Sequence, residues 1–337
     1  VPKILAENID RIITTELRPT GTLPRGVTGR LYEAARQRSK DPLCYVMAAE
    51  LKDCVRSGDR VVIVTGAGGP PYMPSGEIDG LLGSTALARI LAIGLDADVH
   101  IVVEERFTAP MTAVLRAGEL NVRDGSPWPG SVALHVSPEG LTQSEDFSGR
   151  LLGELDPSAV IAIEKIGVNS KGVIHGVTGL PWTDVHFNAK PLFDGARASG
   201  ARTFGIGDGG NEVGWGGVTE VAEIMPHGRV CQCGCGGGIA CAVETDILVH
   251  AAISNWGGYG VAAMLGYLLR RPDLVPDADY VERILTTAAA SGAVCGWYSR
   301  PMLSDDGVPL KAHRAIATML KTAVEQAHIE FAESSSH

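Results

Sequence analysis

The residues of this chain whose types and spacing could do chemistry are concentrated in one glycine-and-acid stretch. It reads Thr203-Phe-Gly-Ile-Gly-Asp208-Gly-Gly-Asn211-Glu212-Val-Gly-Trp-Gly216. A short apolar strand over 202–206 breaks into a loop with glycines at 205, 207, 209 and 210, and a helix is predicted to follow over 217–225. In an open α/β sheet, a turn of this kind at the carboxyl end of a strand is where ligands bind. Phosphate is held by backbone N–H groups and cations. Asp208 and Glu212 would repel it, so the stretch reads as a site for a metal ion, or for an uncharged or cationic group. A plain tight turn with a capping aspartate would use the same residue types.

A second loop, Gly66 to Gly80, is also rich in glycine and carries Ser75, Glu77 and Asp79. It fits neither the dinucleotide fingerprint nor the Walker pattern, so no nucleotide cofactor is expected. Two carboxylates one residue apart can bind a divalent cation or serve as acid and base. Asp79 as a helix N-cap, with both acids at the positive end of the dipole, reads equally well. Glu164-Lys165 ends a predicted strand, where Lys165 could hold a substrate carboxylate or form a surface ion pair. Ser254-Asn255-Trp256-Gly-Gly-Tyr259 combines polar side chains with an aromatic wall and reads as a pocket lining. Cys231, Cys233 and Cys235 have C-x-C-x-C spacing, unlike zinc ribbons, with no paired histidine following nearby. That pattern leaves a metal or redox role open and favours a surface loop with incidental thiols. The chain has no H-E-x-x-H and no G-x-S-x-G, which argues against zincin and serine-hydrolase chemistry.

Positioning these loops requires strands that end where the loops begin. Continuous apolar runs predict buried strands over 60–65, 98–104, 131–136, 159–163 and 202–206, with 238–252 open between strand and helix. Helical spacing covers 3–17, 28–38, 43–57, 80–95, 110–117, 190–199, 260–270, 277–292 and 308–332. Strands alternating with helices predict an α/β fold, a doubly wound, mainly parallel sheet flanked by helices with extra N-terminal helices. Residues 1–58 are read as a helical section packed on the core and 59–332 as the catalytic domain.

The 337 residues are 45% hydrophobic and 20% charged, enough for a sizeable core, with a formal net charge of −10. That charge argues against a nucleic-acid partner. No run is long and apolar enough for a transmembrane helix and no signal-peptide pattern opens the chain, so no membrane partner is expected. Seven cysteines without a secretory signal favour a reduced, cytoplasmic setting. A homodimer is compatible with the helical N-terminal section.

Taken in order, Thr65–Pro71, Gly76–Gly80, Ile163–Gly167, Gly205–Gly216 and Ser254–Tyr259 resemble the motifs of the D-glutamate cyclase C-terminal-domain family. In that family the domain can follow another; here it is read as standing alone. The resemblance implies an α/β lyase that cyclises D-glutamate to 5-oxo-D-proline with loss of water, reversibly, aided by Mn²⁺ or Mg²⁺. At Lys165 the family more often carries arginine, so a bidentate clamp becomes a point charge. Chemistry then assigns Asp79, Asp208 and Glu212 to a metal, and Glu77 to general acid or base work beside Asp208 and Glu212. Lys165 is assigned to the substrate α-carboxylate. Asn211, Ser254, Asn255, Trp256 and the backbone at Gly68, Gly209 and Gly210 are assigned to binding a small amino acid or lactam. A hydrolase opening a small lactam or cyclic imide, and a non-catalytic small-acid binding protein, are the alternatives.

Overall fold

A computed structural model describes residues 2–21 and 23–329. Its centre is a seven-stranded sheet in the order β3-β4-β2-β1-β5-β6-β7. The strands are β1 (Arg60–Thr65), β2 (Asp98–Glu104), β3 (Asn121–Arg123), β4 (Ser131–Ser137), β5 (Ala159–Ile163), β6 (Arg202–Gly207) and β7 (Ile247–His250). Every pairing in this sheet is parallel. All five residues of β5 are buried, as are the last five of β1, which is why both read as unbroken apolar runs rather than alternating ones.

Strand order reverses at β1, which pairs with β2 on one side and β5 on the other, bringing Thr65 opposite Ile163. Right-handed crossovers then put α4 (Leu81–Gly94) and α5 (Thr108–Ala117) on one face, and α6 (Ser144–Leu155) and α7 (Lys190–Ser199) on the other. The packing agrees: α4 contacts α5, and α6 contacts α7. The doubly wound parallel fold expected from the apolar runs is therefore present.

The N-terminal helices α1 (Lys3–Ile13), α2 (Val27–Arg36) and α3 (Leu43–Cys54) join the same core. Helices α1 and α3 pack on α9 (Ser254–Leu268), which in turn lies along α4. Asp10 of α1 is buried and accepts the backbone N–H groups of Leu43 and Cys44, tying α1 to the start of α3. Residues 330–332 of the expected catalytic unit and last helix lie outside the described residues.

Several elements depart from expectation. The helix expected over 217–225 contracts to α8 (Val221–Ile224), because Gly214, Gly216 and Gly217 occupy the preceding turn. The stretch 254–259, read as a pocket lining ahead of a helix over 260–270, forms the first turns of α9. Strand β3 and helix α6 were not anticipated, and neither was the short hairpin β8 (Ser304–Asp305) and β9 (Val308–Pro309) that precedes α11 (Leu310–Ala327). Helix α10 (Ala278–Ala290) starts at Asp277, whose side chain accepts the Tyr280 N–H.

Candidate active site

The site lies at the carboxyl ends of β1, β5 and β6, beside the point where strand order reverses. Strand β1 runs into the loop bearing Glu77 and Asp79, β5 runs into Glu164, and β6 into Asp208. The β8–β9 hairpin adds Asp305 and Asp306, and the segment after α1 adds Arg18. Glu164 has a left-handed backbone with φ 46°, a conformation uncommon outside glycine and enriched at functional turns. Gly80 lies beside it at φ +89°, and a Cβ there would stand 2.4 Å from Thr65 Oγ1 and 2.9 Å from Glu164 Cβ. No other residue type fits that close approach without displacement.

Asp79 is held by α9 rather than by its own helix alone. Its Oδ1 accepts the N–H of Asn255 at 2.7 Å and of Gly80 at 2.9 Å, and its Oδ2 accepts the N–H of Ser254 at 3.0 Å. Asn255 answers across the interface: its Oδ1 accepts the N–H groups of Gly80 and Gly83, at 3.0 and 2.6 Å. Its amide nitrogen donates to Asp305 Oδ2 at 2.7 Å. Each helix start is therefore capped by a side chain from the other, and both positive helix ends face the acids.

The carboxyl groups crowd one another. Arg18 lies 2.9 Å from an oxygen of Asp208 and 3.3 Å from one of Asp306. Burial raises the Asp208 carboxyl, Arg18 opposes that, and Glu212 adds to it, leaving it at about 7. Asp306 is pushed up to about 6, by burial against the opposing pull of Arg18. Burial, then neighbouring negative charge, drives Glu77 and Glu164 well above the usual carboxylate range. Such a cluster favours protons or cations, and it holds both neutral and ionisable carboxyls near neutral pH.

The other expected site residues have these positions. Glu212 is fully buried, with Oε1 accepting the N–H groups of Asp208 and Gly209, and Oε2 that of Gly210. It shapes the central loop, and the N–H groups of Gly209 and Gly210 are spent on it. Asn211 donates from Nδ2 to the His175 carbonyl at 2.9 Å. Ser254 donates its hydroxyl to Glu164 Oε2. Trp256 is buried in the core and donates from Nε1 to His313 Nδ1 at 2.8 Å. Gly68 offers its carbonyl to Arg106 Nε. Lys165 is fully buried and its Nζ bonds Glu104 Oε1, which also accepts the Phe187 N–H at 2.8 Å. Burial would raise the Glu104 carboxyl, but Lys165 and His186 hold it well below its ordinary range. Lys165 thus faces a buried ion pair, away from the acids.

Residues 9–321 match the D-glutamate cyclase-like, C-terminal family. The chain belongs to that family. It is 30% identical over 226 residues to the human mitochondrial D-glutamate cyclase, an alignment that covers 62% of this chain and 33% of that protein. The chain thus corresponds to about a third of the human protein's length. A crystal structure of ureidoglycine-glyoxylate aminotransferase from Bacillus subtilis aligns with 97% of this chain and 92% of its own, at 10% identity and a TM-score of 0.25. A score that low carries no argument about fold or function.

The structure brings Glu77, Asp79, Asp208 and Glu212, which sequence chemistry named, together with Arg18, Glu164, Asp305 and Asp306, to which it gave no role. The divalent cation that the family resemblance implies can be tested against the donors present. One oxygen from each of Asp79, Asp208 and Asp306 lies within 4.8 Å of the others, and the same holds for Glu164, Asp208 and Glu212. Asp305 Oδ1 is a buried acceptor without a hydrogen bond among the described residues. An all-oxygen, anionic donor set fits a hard ion such as Mg²⁺ or Mn²⁺. Asp208 is common to both groups. Asp79 and Glu212, expected to share the ion with it, fall in different groups, and Asp306 joins Asp79.

Among the described residues no helix is long and apolar enough to cross a membrane.

Proposed function

We propose that this chain closes D-glutamate, or a close acidic relative, to its lactam with loss of water, and runs the same reaction in reverse. The observation that carries the reading is the Asp208 cluster: Asp208 and Asp306 on either side of Arg18, with the carboxyls of Glu77 and Glu164 driven higher by burial beside them. The family membership and the name of the human relative support the same chemistry.

Ring closure needs the α-ammonium to lose a proton before its nitrogen attacks the side-chain carboxyl. An acid-rich cleft attracts the ammonium, and Asp208, its carboxyl pushed up to about 7, takes its proton. Nitrogen attack breaks the carbonyl π bond and places charge on oxygen; as the ring closes the nitrogen gives up a second proton, and the C–O bond breaks once the departing oxygen has gained the two protons with which it leaves as water. Glu77 and Glu164, kept protonated by burial, are the donors. Ser254 fixes Glu164 for that transfer through its hydroxyl. With Lys165 committed to Glu104, Arg18 is the cation that meets the substrate α-carboxylate. A divalent ion, to which Asp79 and Asp306 would offer oxygens, would supply charge stabilisation to the attacked carboxyl group.

Proton NMR of purified protein with D-glutamate, and separately with 5-oxo-D-proline, tests this directly. Conversion to one equilibrium mixture from both sides is expected. A folded protein that converts neither, with Mn²⁺ or Mg²⁺ supplied, would reject the proposal. Opening of other lactams or cyclic imides alone would move the site to hydrolase chemistry.

A further inference from the structure

The three cysteines that local spacing left as incidental thiols converge on a histidine from a distant loop. Cys231 Sγ lies 3.5 Å from Cys233 Sγ and 3.3 Å from Cys235 Sγ. His175 Nε2 points at the same spot, 3.1 Å from Cys233 Sγ and 3.7 Å from Cys235 Sγ. One donor atom from each of the four lies within 4.8 Å of all the others. A tetrahedral zinc with Zn–S bonds of about 2.3 Å needs sulfurs roughly 3.7 Å apart. The observed spacings are close to that, and well beyond the S–S bond length of about 2.05 Å in a disulfide.

The surroundings are those of a thiolate site. Asn169 Nδ2 and the Gly237 N–H both approach Cys235 Sγ at 3.4 Å, as donors to a sulfur anion would. Asn169 is itself locked: its Oδ1 accepts the N–H groups of Lys171 and Val173, and its Nδ2 also donates to the Gly238 carbonyl at 2.7 Å. A Cβ on Gly237 would stand 2.5 Å from Asn169 Nδ2, so the loop is shaped around these contacts.

We infer that His175, Cys231, Cys233 and Cys235 form a closed Cys₃His site for a structural zinc ion. Soft thiolates with one imidazole select zinc over the hard ions suited to the acid cluster. Four protein ligands leave no open position, so the ion stabilises rather than reacts. It ties the segment after β5 to the loop before β7. The His175 carbonyl receives Asn211 Nδ2, so the ion also steadies the central loop that carries Asp208. This inference stands whichever reaction the acids perform.

The test is zinc content by plasma mass spectrometry after gel filtration, together with cobalt substitution. One zinc per chain is expected, and cobalt should give the thiolate-to-metal charge-transfer band that carboxylates cannot produce. A Cys233→Ser/Cys235→Ser variant should lose both. Because that variant could fail to fold, alkylation of the wild-type protein supplies an independent reading. Cys231, Cys233 and Cys235 should resist iodoacetamide until a strong chelator is added, and then react together. Zinc-free folded protein, alkylation indifferent to chelator, or a charge-transfer band kept in the folded double variant would each overturn the inference.

Discussion

Asp79 and Asn255 cap each other's helices: the carboxylate of one closes the start of α9, and the amide oxygen of the other closes the start of α4. Asp79 belongs to the acid cluster and Asn255 donates to Asp305 within it, so the cleft geometry and the joint between α4 and α9 depend on one set of hydrogen bonds. Asn255→Ala strands the buried N–H group of Gly83 and leaves the Gly80 N–H with Asp79 Oδ1 alone. At about 1 to 3 kcal/mol for a buried group left unpaired, the loss in urea unfolding should be of that order. In a double-mutant cycle with Asp79→Ala the loss in the double variant should differ from the sum of the single losses, because both residues hold the Gly80 N–H. Strict additivity would mean that the two caps are independent.

Lys165 separates a structural from a substrate-binding reading. Removing one member of a buried ion pair leaves the other charge uncompensated, at a cost of about 3 to 5 kcal/mol. Glu104→Gln should show a loss of that order, and Glu104→Gln/Lys165→Met should recover most of it. A Lys165→Met change that raised KM for substrate without affecting stability would return Lys165 to the substrate.

Glu77 makes a pH prediction whose sign follows from its raised pKa. A carboxyl pushed up in the folded state binds its proton more tightly there than when unfolded. Its contribution is therefore fully favourable below the unfolded value of about 4.3 and is lost as pH rises toward the folded value. Glu77→Gln removes that decline. The variant should be more stable than wild type at pH 8 in chelator, with the advantage closing near pH 4. An advantage unchanged by pH would refute the assigned shift.

A divalent ion should relieve the same repulsion. Mn²⁺ at 100 times its dissociation constant would add about 2.7 kcal/mol of stability, read as a rise in Tm. Protons compete at Asp208 and Asp306, at about 7 and about 6, so the rise should shrink between pH 8 and pH 5.5. The Cys233→Ser/Cys235→Ser background separates this effect from any zinc bound by thiolates. An equal rise at both pH values would place the ion elsewhere.

The fold was legible because β1, β2, β5 and β6 are unbroken apolar runs, the pattern demanded by a sheet covered on both faces. Glu77, Asp79 and Asp208 were legible because each lies in a glycine-rich loop directly after such a strand. What local spacing could not carry was convergence across the chain. Arg18 reaches the site from the N-terminal segment, and Asp305 and Asp306 arrive on a hairpin of two-residue strands too short for any periodicity. His175 completes the cysteine cluster from more than fifty positions upstream. Trp256 was misplaced for a related reason. Its polar, glycine-rich surroundings resemble a loop, yet Asp79 supplies from a distance the cap that lets α9 begin at Ser254.

Arg18 lowers the Asp208 carboxyl against the push of burial. If Asp208 must be ionised to take the ammonium proton, kcat/KM should rise through about pH 7. Loss of the guanidinium raises that carboxyl further, so in Arg18→Gln the acidic limb should move to higher pH in addition to any increase in KM. A limb that stays in place would remove Asp208 as the group being titrated.

The central claim is that Asp208 performs the proton transfer, and Asp208→Asn tests it most directly. The amide keeps the size of the side chain and cannot accept the ammonium proton. Turnover of D-glutamate and 5-oxo-D-proline, followed by NMR alongside a urea melt, should fall by about 10²- to 10⁴-fold in a variant that remains folded. Turnover within a few-fold of wild type in that folded variant would contradict the account.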